Sequence, residues 1–215
     1  YKIVSRFQGG PNAGHTIIFG DIKIVLHTVP SGITSEKTTN VIGNGVIVDP
    51  NIFRKEIKQL ENLGFNPQNN LLISKKAHLI LPSHRLLDFF YEKDLGAKKI
   101  GSTLKGIGPT YTDKTARKGI RVGDIKQDNF KEKFDFLEQS HFKTIQGLGY
   151  SPEEALIDNM QYSEYKELWF DAIESLSDFT FIDSEIFLNN AIKDGVSILA
   201  EGAQGTLLDV EFGSY

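Results

Sequence analysis

The chain has 215 residues, 40% hydrophobic and 24% charged, with a formal net charge of −4. That size and balance fit one large globular unit or two small ones, and the acidic charge argues against a general nucleic-acid coat. The absence of cysteine excludes disulfides, thiolate metal sites and a Cys nucleophile within these residues, and no apolar run approaches the ~20 residues of a membrane helix.

Residues 2–7 read as a strand that runs into QGGPNAGHT, residues 8–16. Two apolar runs, 17–19 and 22–26, flank Gly20-Asp21 and predict a hairpin. Residues 41–48 are β-branched and interrupted by Gly43 and Gly45, the mark of a strand approached closely by another backbone. Asp49-Pro50 predicts a helix start, Phe53, Ile57 and Leu60 its buried face, and Gly64 its end. Residues 71–73 and 79–81 read as short buried strands. Residues 128–148 and 152–176 have helical spacing. Residues 180–182 read as a strand, Asp183 as the cap of a helix ending at Gly195, and residues 196–200 as a last buried strand. This alternation predicts an α/β fold with a largely parallel central sheet flanked by helices.

The ends are unusual. The chain opens on Tyr1 inside a strand-like run and closes on residues 211–215, straight after the apolar and buried-looking Leu207-Leu208. Neither reads as a natural terminus. The expectation is an internal piece of a longer protein, a single domain over 1–215 truncated at both ends.

Four stretches have the composition for chemistry. In QGGPNAGHT the glycines let the backbone approach a ligand, and His15 sits among them. GSTLKGIGPTYTD, residues 101–113, combines free amides, hydroxyls and Lys105, which suits a phosphate or, equally, a flexible surface loop. It lacks the Lys-Ser/Thr pair of a P-loop. In KTARKGIR, residues 114–121, Lys114, Arg117, Lys118 and Arg121 would form one basic stripe if helical, although Gly119 weakens a helix and such a stripe is commonly a solvated face. EGAQGTLLD, residues 201–209, follows the last strand, where open α/β sheets bind ligands, and its Gln204 can both donate and accept; a tight strand-to-helix turn is the alternative. His27, His78, His84 and His141 read as structural, and no pair of histidines has zinc-site spacing.

Together GGPNAGHT, VLHTVPSGI, VIGNGV, GSTLKGIGPTYTDKTARKGIRVGD and EGAQGTLLD fall in the order and at the separations of the adenylosuccinate synthetase family, which the chain resembles over essentially its whole length. The resemblance implies a P-loop-NTPase-like sheet, incomplete here, and a cytoplasmic ligase of purine biosynthesis. Such an enzyme joins IMP to L-aspartate, with GTP as co-substrate and one Mg2+ per subunit. An aspartate base helps the 6-oxygen of IMP attack the γ-phosphate, and aspartate's amine then displaces phosphate. On that resemblance His15 and Gln204 are catalytic; Asn12, Thr103, Arg117 and Gln204 bind IMP; Gly14, His15 and Thr16 meet the GTP phosphates; and the Gly14 carbonyl meets Mg2+. Arg117 would act in trans across a homodimer. No membrane and no nucleic acid are implied.

Two departures stand out. The family's GDEGKG-like loop, with its catalytic aspartate and phosphate-binding lysine, would precede Tyr1, and later IMP-, guanine- and aspartate-binding loops would follow Tyr215. The piece alone is therefore expected not to turn over. Lys105 also stands where many relatives have Arg. A purine-binding or assembly module without catalysis is the alternative, separated by whether that loop lies upstream. A different α/β phosphotransferase would need a Walker-type lysine, which the second stretch lacks.

Overall fold

The computed structural model describes residues 1–208; Asp209 of the last motif and the closing run 211–215 lie outside the described residues. Strands β1 (Ile3–Gly9), β4 (Thr39–Val48), β5 (Leu71–Ser74), β7 (Thr180–Ile182) and β8 (Ile198–Glu201) form a parallel sheet in the order β7-β5-β4-β1-β8. A short β6 (His78–Leu79) pairs with the far end of β4. The hairpin is as expected: β2 (His15–Phe19) and β3 (Ile22–Leu26) run antiparallel around Gly20-Asp21, with Gly20 at φ 55°.

Helices α1 (Pro50–Asn62), α2 (Pro82–Asp94), α3 (Ile107–Thr115), α4 (Phe130–Gly147), α5 (Tyr162–Ser177) and α6 (Ser184–Lys193) complete the fold. Asp49 caps α1 as its sequence predicts, accepting from the amides of Asn51 and Ile52 at 2.9 and 3.3 Å. Alternation along β4 sends Ile42, Val46 and Val48 to one face, against Phe53, Leu60, Phe134 and Trp169. Val41 faces the other way, toward Ile3, Ala191, Phe187 and Leu188. Helices thus cover both faces, as the expected α/β class requires. Among the described residues no helix is long and apolar enough to cross a membrane.

The close backbone approach expected at Gly43 and Gly45 is present. A Cβ at Gly45 would lie 2.2 Å from the Phe7 carbonyl oxygen, and one at Gly43 would lie 3.0 Å from that of Arg6. The β1–β4 register shifts at this point, between Arg6 and Gln8.

Several expectations fail for identifiable reasons. Helix α2 went unseen because residues 82–88 are buried on every side, leaving no amphipathic stripe. Helix α3 went unseen because IGPTYTDKT holds Gly, Pro and three Thr, all poor helix formers. Residues 152–176 are not one helix: a 3-10 turn at Pro152–Glu154 leads to a bridge between Ile157 and Met160, and α5 follows. Strand β6 stops at Leu79, two residues short of the predicted end. Asp183 makes no capping bond; its carboxylate takes Lys75 Nζ at 3.0 Å instead. Strand β8 starts two residues later than predicted and is partly exposed, and Leu207 and Leu208 are exposed rather than buried.

Candidate functional site

Parallel register places Arg6 of β1 beside Glu201 of β8. Neighbours on adjacent strands share a face, and Arg6 Nη1 donates to Glu201 Oε1 at 2.9 Å, with Arg6 only 2% exposed. A buried guanidinium needs such a partner. The other Glu201 oxygen accepts from the Ser31 amide at 2.9 Å and from the Ser31 hydroxyl. Burial pushes the Glu201 carboxyl up, but the Ser31 donors and Arg6 outweigh it and hold the group below its usual range.

Arg6 also reaches the glycine-rich loop. Nη2 donates to the Ala13 carbonyl at 3.3 Å, and Nη1 donates to His15 Nδ1 at 3.4 Å. A guanidinium is only a donor, so Nδ1 is the acceptor and the imidazole proton sits on Nε2. That Nε2–H is buried without a hydrogen-bond partner among the described residues, and it stands 3.9 Å from Glu201 Oε1. Burial pushes the His15 ring below its usual pKa; Arg6 and His27 push the same way and Glu201 opposes them. The ring is therefore neutral and keeps one N–H donor, buried on Nε2 beside Glu201.

A second carboxylate, this one buried, shapes the same loop. Glu56 of α1 accepts from the amides of His27, Thr28 and Val29. This fixes residues 27–29, and His27 Cε1 lies where a Cβ at Gly14 would come within 3.0 Å. On the other side, a Cβ at Gly9 would lie 2.1 Å from Ala203 Cβ, and one at Gly10 would lie 3.0 Å from Ile107 Cδ1. Tyr111 of α3 accepts from the Gly9 amide at 3.1 Å and donates to the Gly45 carbonyl at 2.9 Å. The loop is wedged between the 202–204 turn and α3.

Of the residues singled out from sequence, Asn12, Gly14, His15 and Thr16 thus share the loop, beside the turn that carries Gln204. Gln204 is partly buried, and its Nε2 donates to the Leu208 carbonyl at 3.4 Å. Thr103 is exposed and lines a different cavity of about 200 Å3 with Arg85, Lys105 and Asp158. Arg117 lies elsewhere again. The basic stripe is not helical: α3 ends at Thr115, and Arg117 has φ 61°. The turn nevertheless gathers Lys114, Arg117, Lys118 and Arg121 around a cavity of about 600 Å3, with His78 and Lys133.

Sequence reasoning missed Arg6, Glu201 and Glu56. Glu56 carried a signal, being a charge at helical spacing from Phe53 and Leu60 on the apolar face of α1. It also missed a cluster of His84, Asp113 and His141, whose ligand atoms lie within 4.8 Å of one another. The expectation that no histidine pair has zinc-site spacing considered distance along the chain, whereas these residues come from three helices.

A parallel sheet with helices on both faces and glycine-rich loops at its strand ends defines a nucleotide-binding α/β fold. Residues 1–215 match the adenylosuccinate synthetase family, and the chain belongs to it. It is 54% identical over 218 residues to adenylosuccinate synthetase of Flavobacterium johnsoniae, covering 100% of this chain and 49% of that protein. The Bacteroides fragilis protein of the same name is 50% identical over 215 residues, with the same coverage. A fully ligated adenylosuccinate synthetase from Plasmodium falciparum superposes with a TM-score of 0.80 at 31% identity, covering 100% of this chain and 48% of that one. The chain spans about half the length of the curated relatives it matches.

Proposed function

We propose that this chain supplies the phosphoryl-transfer loop and part of the IMP site of an enzyme that joins IMP to L-aspartate with GTP, forming adenylosuccinate. The observation that carries the reading is His15. Its proton is fixed on Nε2 by Arg6, its ring is held neutral, and its donor has no partner among the described residues. Phosphoryl transfer is catalysed mainly by positioning and by donors aimed at developing charge. His15 would meet the transferring group with that N–H. Gly14 and Thr16 would flank the phosphates, Asn12 and Thr103 would bind IMP, and Gln204, which both donates and accepts, would hold the reacting purine edge and act with His15.

Magnesium fits this loop through one atom. The backbone at Gly14 is exposed, and a carbonyl oxygen is a hard ligand for an ion that takes few protein ligands and completes its shell with phosphate oxygens and water. When bound, the ion would neutralise phosphate charge. Arg117 would reach the IMP phosphate of a second subunit in a homodimer. In support, it sits beyond the far end of α3 from Ile107, whose Cδ1 a Cβ at Gly10 would meet at 3.0 Å, and a helix rises about 1.5 Å per residue. The substrates are small nucleotides and an amino acid, and the proposed compartment is the cytoplasm.

The test uses the intact protein with IMP, GTP, aspartate and Mg2+. Adenylosuccinate should form, and His15→Ala should lower turnover at least ~100-fold, the scale of one oriented donor, while IMP affinity stays within a few-fold. Absence of product from the intact protein overturns the reading. Mixing His15→Ala with Arg117→Leu protein should restore activity above either alone. Subunits that exchange without such recovery would show that Arg117 does not act across a dimer.

A further inference from the structure

His84, Asp113 and His141 invite a metal, yet the hydrogen bonds assign them another part. The Leu81 amide donates to His84 Nδ1 at 2.9 Å. Nδ1 is therefore an acceptor, and the proton sits on Nε2, which donates to Asp113 Oδ2 at 3.0 Å. A metal would need the Nε2 lone pair, and moving the proton to Nδ1 would set it against the Leu81 N–H. His141 completes the arrangement, with Nε2 on the same Asp113 oxygen at 2.8 Å and Nδ1 on Ser83 Oγ at 2.8 Å. One carboxylate oxygen thereby joins α2, α3 and α4. Burial pushes the Asp113 carboxyl up, but the two imidazoles outweigh it and hold the group well below the usual carboxylate range.

Helix α3 needs such a fastening, because only Pro109 and Thr110 along it are buried. The residue that fastens it also shapes the turn after it. The Asp113 carbonyl accepts from the amides of Lys118 and Gly119 at 2.9 and 3.1 Å. Between these anchors Arg117 adopts its left-handed φ of 61°, and the Arg117 amide closes on the Lys114 carbonyl at 3.1 Å. The side chain of Asp113 thus grips the helices while its backbone folds the turn. Among the described residues the exposed Arg117 guanidinium has no hydrogen-bond acceptor, so the turn alone sets where its side chain leaves the backbone.

We propose that Asp113, gripped by His84 and His141, is a positioning residue that presents Arg117 to a nucleotide phosphate. This rests on the reading of Arg117 given above. In the intact protein Arg117→Leu and Asp113→Ala should each raise KM for IMP roughly tenfold, short of the ~100-fold that a 1 Å misplacement can cost, with KM for GTP unchanged. In the Arg117→Leu background, Asp113→Ala should add less than about twofold, because a positioning residue has nothing left to position. His141→Phe, which removes one of the two donors, carries the same cycle if Asp113→Ala does not fold. If Arg117→Leu leaves KM for IMP unchanged, the reading of Arg117 itself fails. If Arg117→Leu raises it but the clamp variants do not, or if they cost the same in both backgrounds, the clamp is merely structural and the inference is overturned.

Discussion

Replacing Arg6 by Met keeps the apolar stem and removes the guanidinium. The variant should lose stability and should free the His15 tautomer. Breaking a buried ion pair from one side costs ~3–5 kcal/mol. Glu201 is 15% exposed and keeps its Ser31 donors, so the lower end applies, about 3 kcal/mol. Glu201→Gln leaves Arg6 buried with weaker acceptors and should cost about 2 kcal/mol. The two residues touch, so the double variant should be less destabilised than the sum by about 2 kcal/mol, the worth of a hydrogen bond between charged groups. Urea unfolding of the intact protein, its two single variants and the double variant measures this coupling. Nitrogen NMR of His15 should show the proton on Nε2 in the parent and a mixture of tautomers in Arg6→Met. Additivity within about 0.5 kcal/mol, together with an unchanged tautomer, would refute the view that Arg6 sets both.

Burial pushes the His84 ring from its usual 6.5 down to about 4, and the Asp113 hydrogen bond only partly opposes this. The unfolded chain therefore binds the extra proton first as pH falls, so the stabilisation is complete above pH 6.5 and is lost on acidification toward pH 4. The gap is worth about 3 kcal/mol, and a His84→Leu variant whose stability falls less steeply than the parent's between these limits checks it; the buried His78, lowered in the same way, keeps some slope in both. Gly45→Ala should destabilise by at least about 2 kcal/mol, because its methyl meets backbone rather than a movable side chain. Gly147→Ala, at the end of α4 with open space around it, should instead stabilise by about 0.5 kcal/mol. Thermal melts of both variants give the comparison, and equal effects would show that the close approach at Gly45 costs nothing.

Local chemistry was legible along the chain. Asp49 and Pro50 announce α1, Gly20-Asp21 announces the β2–β3 hairpin, and Gly43 and Gly45 announce a backbone pressed against another. Each is decided by residues a few positions apart. The motifs around His15 and Gln204 were legible for the same reason. The sequence by itself could not show how these pieces meet. Arg6 and Glu201 lie 195 positions apart and become neighbours only through parallel strand register. Asp113 meets His84 and His141 across 29 and 28 positions, by the packing of a helix whose first two turns are buried all round against one with almost no apolar anchor. The basic residues at 114–121 were visible as a group, but a left-handed residue at Arg117 rather than helical spacing arranges them. Propensity and periodicity report the free energy of a segment with itself. The tautomer of His15 and the direction of Arg117 depend on side-chain hydrogen bonds and backbone turns that exist only once distant segments have excluded water from between them.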